Sequence, residues 1–308
     1  MNSKSTSLIV YSSIVLAVTF WGFSFIWTNS LLLAGLAPFT LILFRLIFAS
    51  IILFTISISL KKLQKIKKED FKWFLLLVIL EPFFYFIGET LGIKNIGSST
   101  LSSIIISTIP IFASIAGVMV YKEKLTAINF FGIFITIPGI LLVVFENGNI
   151  SVKHHAGILL LFLAVFAAVG YSLVVKKLAG KYNSYTIVTY QHSIGAIYFI
   201  PLFFIFEFND FTFASLNTNV VVSLIALALF CSSIAFIFFI NSIKVLGIAR
   251  ANIFTTIIPA ISACGAYLLG YEGISVRKIA GIFIVIAGVI IAQRQKVVKE
   301  SNIMAEKI

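Results

Sequence analysis

Apolar runs of about 20 residues, the length that crosses a hydrocarbon core, follow one another along nearly all of this 308-residue chain, separated by short polar loops. No other feature constrains the fold as much, because lipid cannot satisfy backbone N–H and C=O groups and a spanning segment must do so itself. Bounded by charges, glycines and polar clusters, the runs fall near residues 8–28, 38–60, 71–93, 98–121 and 128–145, then 157–176, 184–206, 220–241, 247–270 and 275–292. The expected fold class is therefore an all-α integral membrane protein with ten transmembrane helices. A composition of 60% hydrophobic and 11% charged residues, with mean hydropathy +1.10, excludes a soluble globular domain.

The net charge of +12 does not point to nucleic acid, because the basic residues lie in the loops between runs rather than along one stripe. With the N-terminus inside, only Lys94, Lys153, Arg277 and Lys278 fall in outer loops, and Arg45 lies within the second run. The rest of the 23 lysines and arginines fall inside, which places both termini in the cytoplasm. Cys231 and Cys264, both within apolar runs and without ligand spacing, read as packing residues rather than a disulfide or a metal site. The first run is too long for a signal-peptide core and has no A-x-A cleavage site, so it reads as a first span.

The chain also repeats itself. Residues 93–144 align with 243–294 across one single-residue gap, so that Pro110 meets Pro259, Glu123 meets Glu272, Gly132 meets Gly281 and Gly139 meets Gly288. A weaker echo pairs WGFSF at 21 with VGYSL at 169, and FTLILFRL at 39 with YTIVTYQH at 185. Residues 1–148 and 149–294 thus form two five-span units, followed by a cytoplasmic tail, 295–308. An odd number of spans per unit turns the second unit upside down, which predicts two inverted five-helix repeats.

These residues resemble the EamA-type drug/metabolite transporters. The likeness lies in the two tandem units, each with a proline-bearing span, a loop glutamate (Glu123, Glu272) and a glycine-spaced last span, and in the early FWGFSF. It covers about residues 8–294. The resemblance implies a ten-helix carrier in a cytoplasmic membrane, that of a bacterium, moving small metabolites usually outward through a cavity between the halves.

Two carboxylates, Glu81 and Glu89, stand inside the third run, where a charge at a helix centre costs about 2.5 to 3.5 kcal/mol on insertion scales. They should face protein or water, and intramembrane ionisable residues mark function by default. Arg45 and Glu89 are expected at similar depth near the outer edge and so to pair, leaving Glu81 deeper, alone and suited to carry a proton. The competing reading is a structural ion pair with a protonated, hydrogen-bonded Glu81. Position by position, the second unit has Gln191 for Arg45, Cys231 for Glu81 and Phe239 for Glu89, so charge concentrates in one half. That asymmetry suits a polar or zwitterionic cargo such as an amino acid, its carboxylate on Arg45 and its amine on Glu81.

Pro110 and Pro259 are expected to break their helices, freeing the carbonyls of Ile106 and Thr255, with the hydroxyls of Ser107 and Thr256 beside them. Asn252, one turn before Thr256, should share that face. Trp21, Ser24, Tyr85 and Tyr171, with Phe23 and Ser172, are candidate cavity-lining residues, against the plainer reading that aromatics pack or meet lipid. His192 reads as hydrogen-bonded structure. The glycine pairs at i+7 suit a scaffold or a homodimer contact. The Asn-Ile-Ser triplet at Asn149 is a weak glycosylation signal. No P-loop, H-E-x-x-H or G-x-S-x-G occurs, so neither a cofactor, a metal nor an enzyme is expected. The expected partners are a small-molecule substrate, membrane lipids and protons as a candidate coupling ion. A non-coupled facilitator or channel, a membrane sensor or assembly subunit without flux, and an intramembrane enzyme remain as alternatives.

Overall fold

The computed structural model describes residues 3–121, 127–145, 152–246 and 248–292; Lys122, Glu123, Lys124, the Asn149 triplet and the tail at 295–308 lie outside the described residues. No strand occurs among them. The helices are α1 (Ser3–Leu33), α2 (Pro38–Ser59), α3 (Phe71–Val78), α4 (Tyr85–Ile96), α5 (Ser99–Ile106), α6 (Ile109–Tyr121) and α7 (Ala127–Val144). They continue as α8 (Val152–Ala179), α9 (Ser184–Phe206), α10 (Thr218–Ala226), α11 (Ala235–Leu246), α12 (Ile248–Thr255), α13 (Ile258–Leu268) and α14 (Val276–Ala292). A π-helical stretch, Ile79–Phe84, joins α3 to α4, and another, Leu227–Ile234, joins α10 to α11. Seven helical segments are long and apolar enough to cross a membrane: Ile9–Leu33, Pro38–Ser59, Lys68–Ile96, Ala127–Val144, Lys153–Ala179, Ser184–Phe206 and Thr218–Leu246. The protein is therefore an integral, multi-pass membrane protein. The other helices, α5 with α6, α12 with α13, and α14, are shorter.

Helix ends follow local chemistry. Pro38 starts α2, where its missing N–H is an orphan anyway. The side chains of Ser98, Asn183 and Asn217 cap α5, α9 and α10 by accepting from the backbone N–H three residues on. Gly97, at φ 70°, closes α4 in the left-handed conformation that costs a glycine least.

Packing is dominated by contacts across the sequence midpoint. α7 runs antiparallel to α14 with Gly132 against Gly288 and Gly139 against Gly281; a Cβ on Gly288 would fall 2.9 Å from the Gly132 carbonyl oxygen. The paired glycines thus serve a contact within the chain, where small residues let two backbones approach. α2 lies antiparallel to α9, tied at one end by Glu207 to Thr40 and near the other by Ser57 to Thr189 at 2.9 Å. α8 receives α4 and α6, and reciprocally α1 receives α11 and α13. Side chains such as Phe131, Phe134, Phe204 and Phe283 point outward, as acyl chains require. Cys264 is also exposed, so it is not the packing residue expected, whereas Cys231 is fully buried.

The two ends are tied differently. At the end where α1, α9 and α13 finish, Glu207 accepts from the Phe39 and Thr40 N–H groups, and Glu272 accepts from Ser99 N–H and Oγ at 2.6 Å and from Thr100 N–H at 3.2 Å. Each carboxylate thus caps a helix from the other half of the chain. At the opposite end, Lys181 Nζ lies 2.6 Å from Asp70, which also accepts from the Tyr182 hydroxyl, and Lys244 donates to the Tyr182 carbonyl.

Candidate functional site

The third span breaks at Glu81. A residue before proline is pushed out of the α region, and Glu81, preceding Pro82, is extended at φ −146°, ψ 116° inside an otherwise helical stretch. The break turns the Glu81 carboxylate toward a cavity of about 60 Å³, room for about four water molecules at roughly 15 Å³ of centre volume each. Tyr85, Phe86 and Glu89 follow on the same wall. Arg45, from α2, completes the charged set at the level of Glu89.

The pairing expected from depth is present, with Arg45 Nη1 3.8 Å from Glu89 Oε2 and both side chains almost fully buried. At that separation it is an ion pair rather than a hydrogen bond, and neither atom has a hydrogen-bond partner. Arg45 is fixed by other contacts: its Nε donates to Ser232 Oγ at 2.7 Å and its guanidinium lies 4.2 Å from the centre of the Phe86 ring. Glu89 Oε1 accepts from the Tyr85 hydroxyl at 3.3 Å. Glu81, 6% exposed, accepts no hydrogen bond and has no ion-pair partner among the described residues. The competing reading, in which Glu81 is hydrogen-bonded to a neighbour, finds no such neighbour here.

The other walls come from both halves. From α1, Trp21 donates its indole N–H to the Cys231 carbonyl at 3.1 Å and meets Phe236 and Phe239 edge-on, while Ser24 also faces the cavity. From α8 come Tyr171 and Ser172, and the Tyr171 hydroxyl donates to Gln191 Oε1 at 3.0 Å. Asn252 lines the cavity from α12, its Nδ2 buried without an acceptor.

Several sequence expectations are corrected by this geometry. Gln191 stands behind Tyr171, and Ser107 and Thr256 sit in the turns between helices rather than on the cavity wall, which their neighbours Ile106, Ile109, Thr255 and Ile258 supply instead. The helices do break beside Pro110 and Pro259, α5 ending at Ile106 and α12 at Thr255, the two residues whose carbonyls lose a donor to a proline four positions on. The breaks come earlier, at 107–108 and 256–257, and each proline lies in the first turn of the next helix, where no donor is needed. The Ser107 and Thr108 hydroxyls bond carbonyls three residues back, on Ile104 and Ile105. Phe23 turns toward Trp27 and Gly265. His192 bonds the Val188 carbonyl at 3.0 Å, as a structural histidine would.

Phe86, Ser232 and Phe236 were not singled out from sequence, and Thr255 only for its backbone carbonyl. Ser232 directly follows Cys231, the position matched to Glu81, but carried no signal of its own, and Phe86 and Phe236, though they match under the repeat, were two among 32 phenylalanines. Under the repeat alignment five pairs of lining residues occupy matched positions: Ser24 and Ser172, Phe86 and Phe236, Glu89 and Phe239, Ile106 and Thr255, and Ile109 and Ile258.

The model of the EamA-like transporter family matches residues 8–145 and again residues 155–293. The chain belongs to the EamA-like transporter family. Relatives agree in class: an uncharacterized transporter of Archaeoglobus fulgidus is 28% identical over 285 residues, 92% of this chain and 98% of that protein. The uncharacterized transporter YdfC of Bacillus subtilis is 27% identical over 204 residues, 65% of each chain. A solved crystal structure with 13% identity superposes at a TM-score of 0.68, covering 91% of this chain and 98% of that one, and so shares the fold. The family and its relatives make this EamA-family protein a membrane transporter.

Proposed function

We propose that this EamA-family chain is a secondary carrier of ten spans, built as two inverted five-helix halves (1–148 and 149–294) that rock about a midplane cavity. One observation carries the reading: matched residues of the two halves line the same cavity. A pseudo-twofold axis through the substrate site lets each half exchange roles with the other, so that the site opens first to one side and then to the opposite one. The antiparallel pairing of α2 with α9 and of α7 with α14 supports inversion. In this reading α5 with α6, α12 with α13, and α14 supply the three remaining spans, and the loop charges place both termini in the cytoplasm of a bacterial cell.

The cargo is a small polar metabolite moved outward, and Glu81 is the residue that a coupling proton would load. The other titratable side chains on the cavity, Arg45, Glu89, Tyr85 and Tyr171, already have partners. Purified protein in proteoliposomes preloaded with unlabelled amines or amino acids tests the carrier. Saturable counterflow of the labelled compound is the expected result; flux that never saturates and shows no counterflow identifies a pore.

A further inference from the structure

We propose that the cavity is built to hold a small organic monocation, an amine or ammonium with an apolar body, against Glu81. The proposal deepens the carrier reading above and rests on it for the cavity's role. Charge balance is the first argument. Among the described residues, three charged side chains line the cavity, Arg45, Glu81 and Glu89. Arg45 and Glu89 neutralise each other at 3.8 Å, which leaves one carboxylate uncompensated. An ionised group with no counter-charge at so buried a position is costly, and a proton or a bound cation cancels it, so the two compete for Glu81. A zwitterion brings no net charge and leaves the imbalance in place, while its own carboxylate meets an arginine already countered by Glu89. An anion makes the balance worse.

The second argument is the wall material. Trp21, Tyr85, Tyr171, Phe236 and Phe239 line the same cavity as the acid. Aromatic faces carry negative quadrupole charge and attract cations within about 6 Å, and the same rings accommodate an apolar body. The structure already displays this chemistry once, in the Arg45 guanidinium over Phe86. The amino-acid cargo expected from sequence required Arg45 to be free for a carboxylate; with Glu89 beside it and Ser232 on its Nε, it is not.

Four ligands of about four or five heavy atoms, matched to a cavity of about 60 Å³, isolate the charge: propylamine, glycine, propanoate and 1-propanol. Their binding to the purified full chain in detergent is read by tryptophan fluorescence, without any flux measurement. Propylamine is expected to bind at least tenfold more tightly than the other three. E81Q should erase that preference while leaving the melting temperature of the unliganded protein within a few degrees, and E81D should retain part of it. Equal binding of glycine and propylamine, absence of propylamine binding, or an unchanged preference in E81Q overturns the proposal. Should E81Q fail to fold, the ranking of the four ligands on wild-type protein still decides. Cation-selective binding without counterflow would instead sink the carrier reading and leave the site assignment standing.

Discussion

Arg45 and Glu89 hold opposite charges 3.8 Å apart with both side chains almost fully buried. Removing one partner strands the other, an effect of about 3 to 5 kcal/mol for buried pairs, whereas replacing both with apolar residues of similar volume is close to neutral. E89Q is therefore expected to lower the melting temperature sharply, and R45M/E89M to recover most of the loss; a double variant as unstable as the single one contradicts a simple pair. Glu272 makes a different prediction. Burial alone would raise its pKa, but donors on Ser99 and Thr100 and the Lys278 ammonium at 3.5 Å outweigh that and hold the carboxyl below its ordinary value. A depressed folded pKa means stabilisation that is complete above the unfolded value of about 4.3 and lost as pH falls through the folded one. Wild-type protein should lose more stability than E272Q on acidification from about pH 6 to about pH 3, and at neutral pH the substitution should cost about 1 kcal/mol, as for a lost helix cap.

At the scale of elements, contact distance and proline position separate two kinds of spans. α7 and α14 touch backbone to backbone through Gly132 and Gly288, and a side chain at 288 must displace the Gly132 carbonyl and Thr136. G288L should therefore split the pair, read as loss of monodisperse protein on size exclusion, while leucine at the nearby exposed Ile290 position is expected to be harmless. Pro259 lies in the first turn of α13, so P259A removes no strain and restores no missing bond. The expected change is below about 1 kcal/mol, against the roughly 3 kcal/mol that proline takes from a helix interior. A large stabilisation by P259A would mean that the helix runs through the break.

At the scale of the whole molecule, ties between the halves exist at both ends: Glu272 to Ser98, Ser99 and Thr100 at one, Asp70 to Lys181 and Tyr182 at the other. Rocking about the cavity requires each set to release in turn. With Cys231 and Cys264 replaced, a reducible cross-link between S98C and E272C, or between D70C and K181C, should each abolish counterflow more than tenfold until reduced. Full counterflow with either end locked contradicts the rocking mechanism. Much of this architecture was readable beforehand. Run length and hydropathy determined that the chain is helical and membrane-embedded, because lipid leaves a backbone no alternative. The repeat at an offset of 149 determined where matched breaks and glycines would fall, and depth along two spans sufficed to pair Arg45 with Glu89. Only the tertiary structure decided which side chains share a cavity. Helix rotation and the extended backbone at Glu81 depend on how each span packs against the other half, and no periodicity within one span contains that information. For the same reason Ser107, Gln191 and Thr256 stand one shell back while Phe236 and Thr255 reach the wall. The lone charge of Glu81 became visible only once Arg45 was seen to be countered by Glu89 and held by Ser232, a residue 187 positions further along the chain.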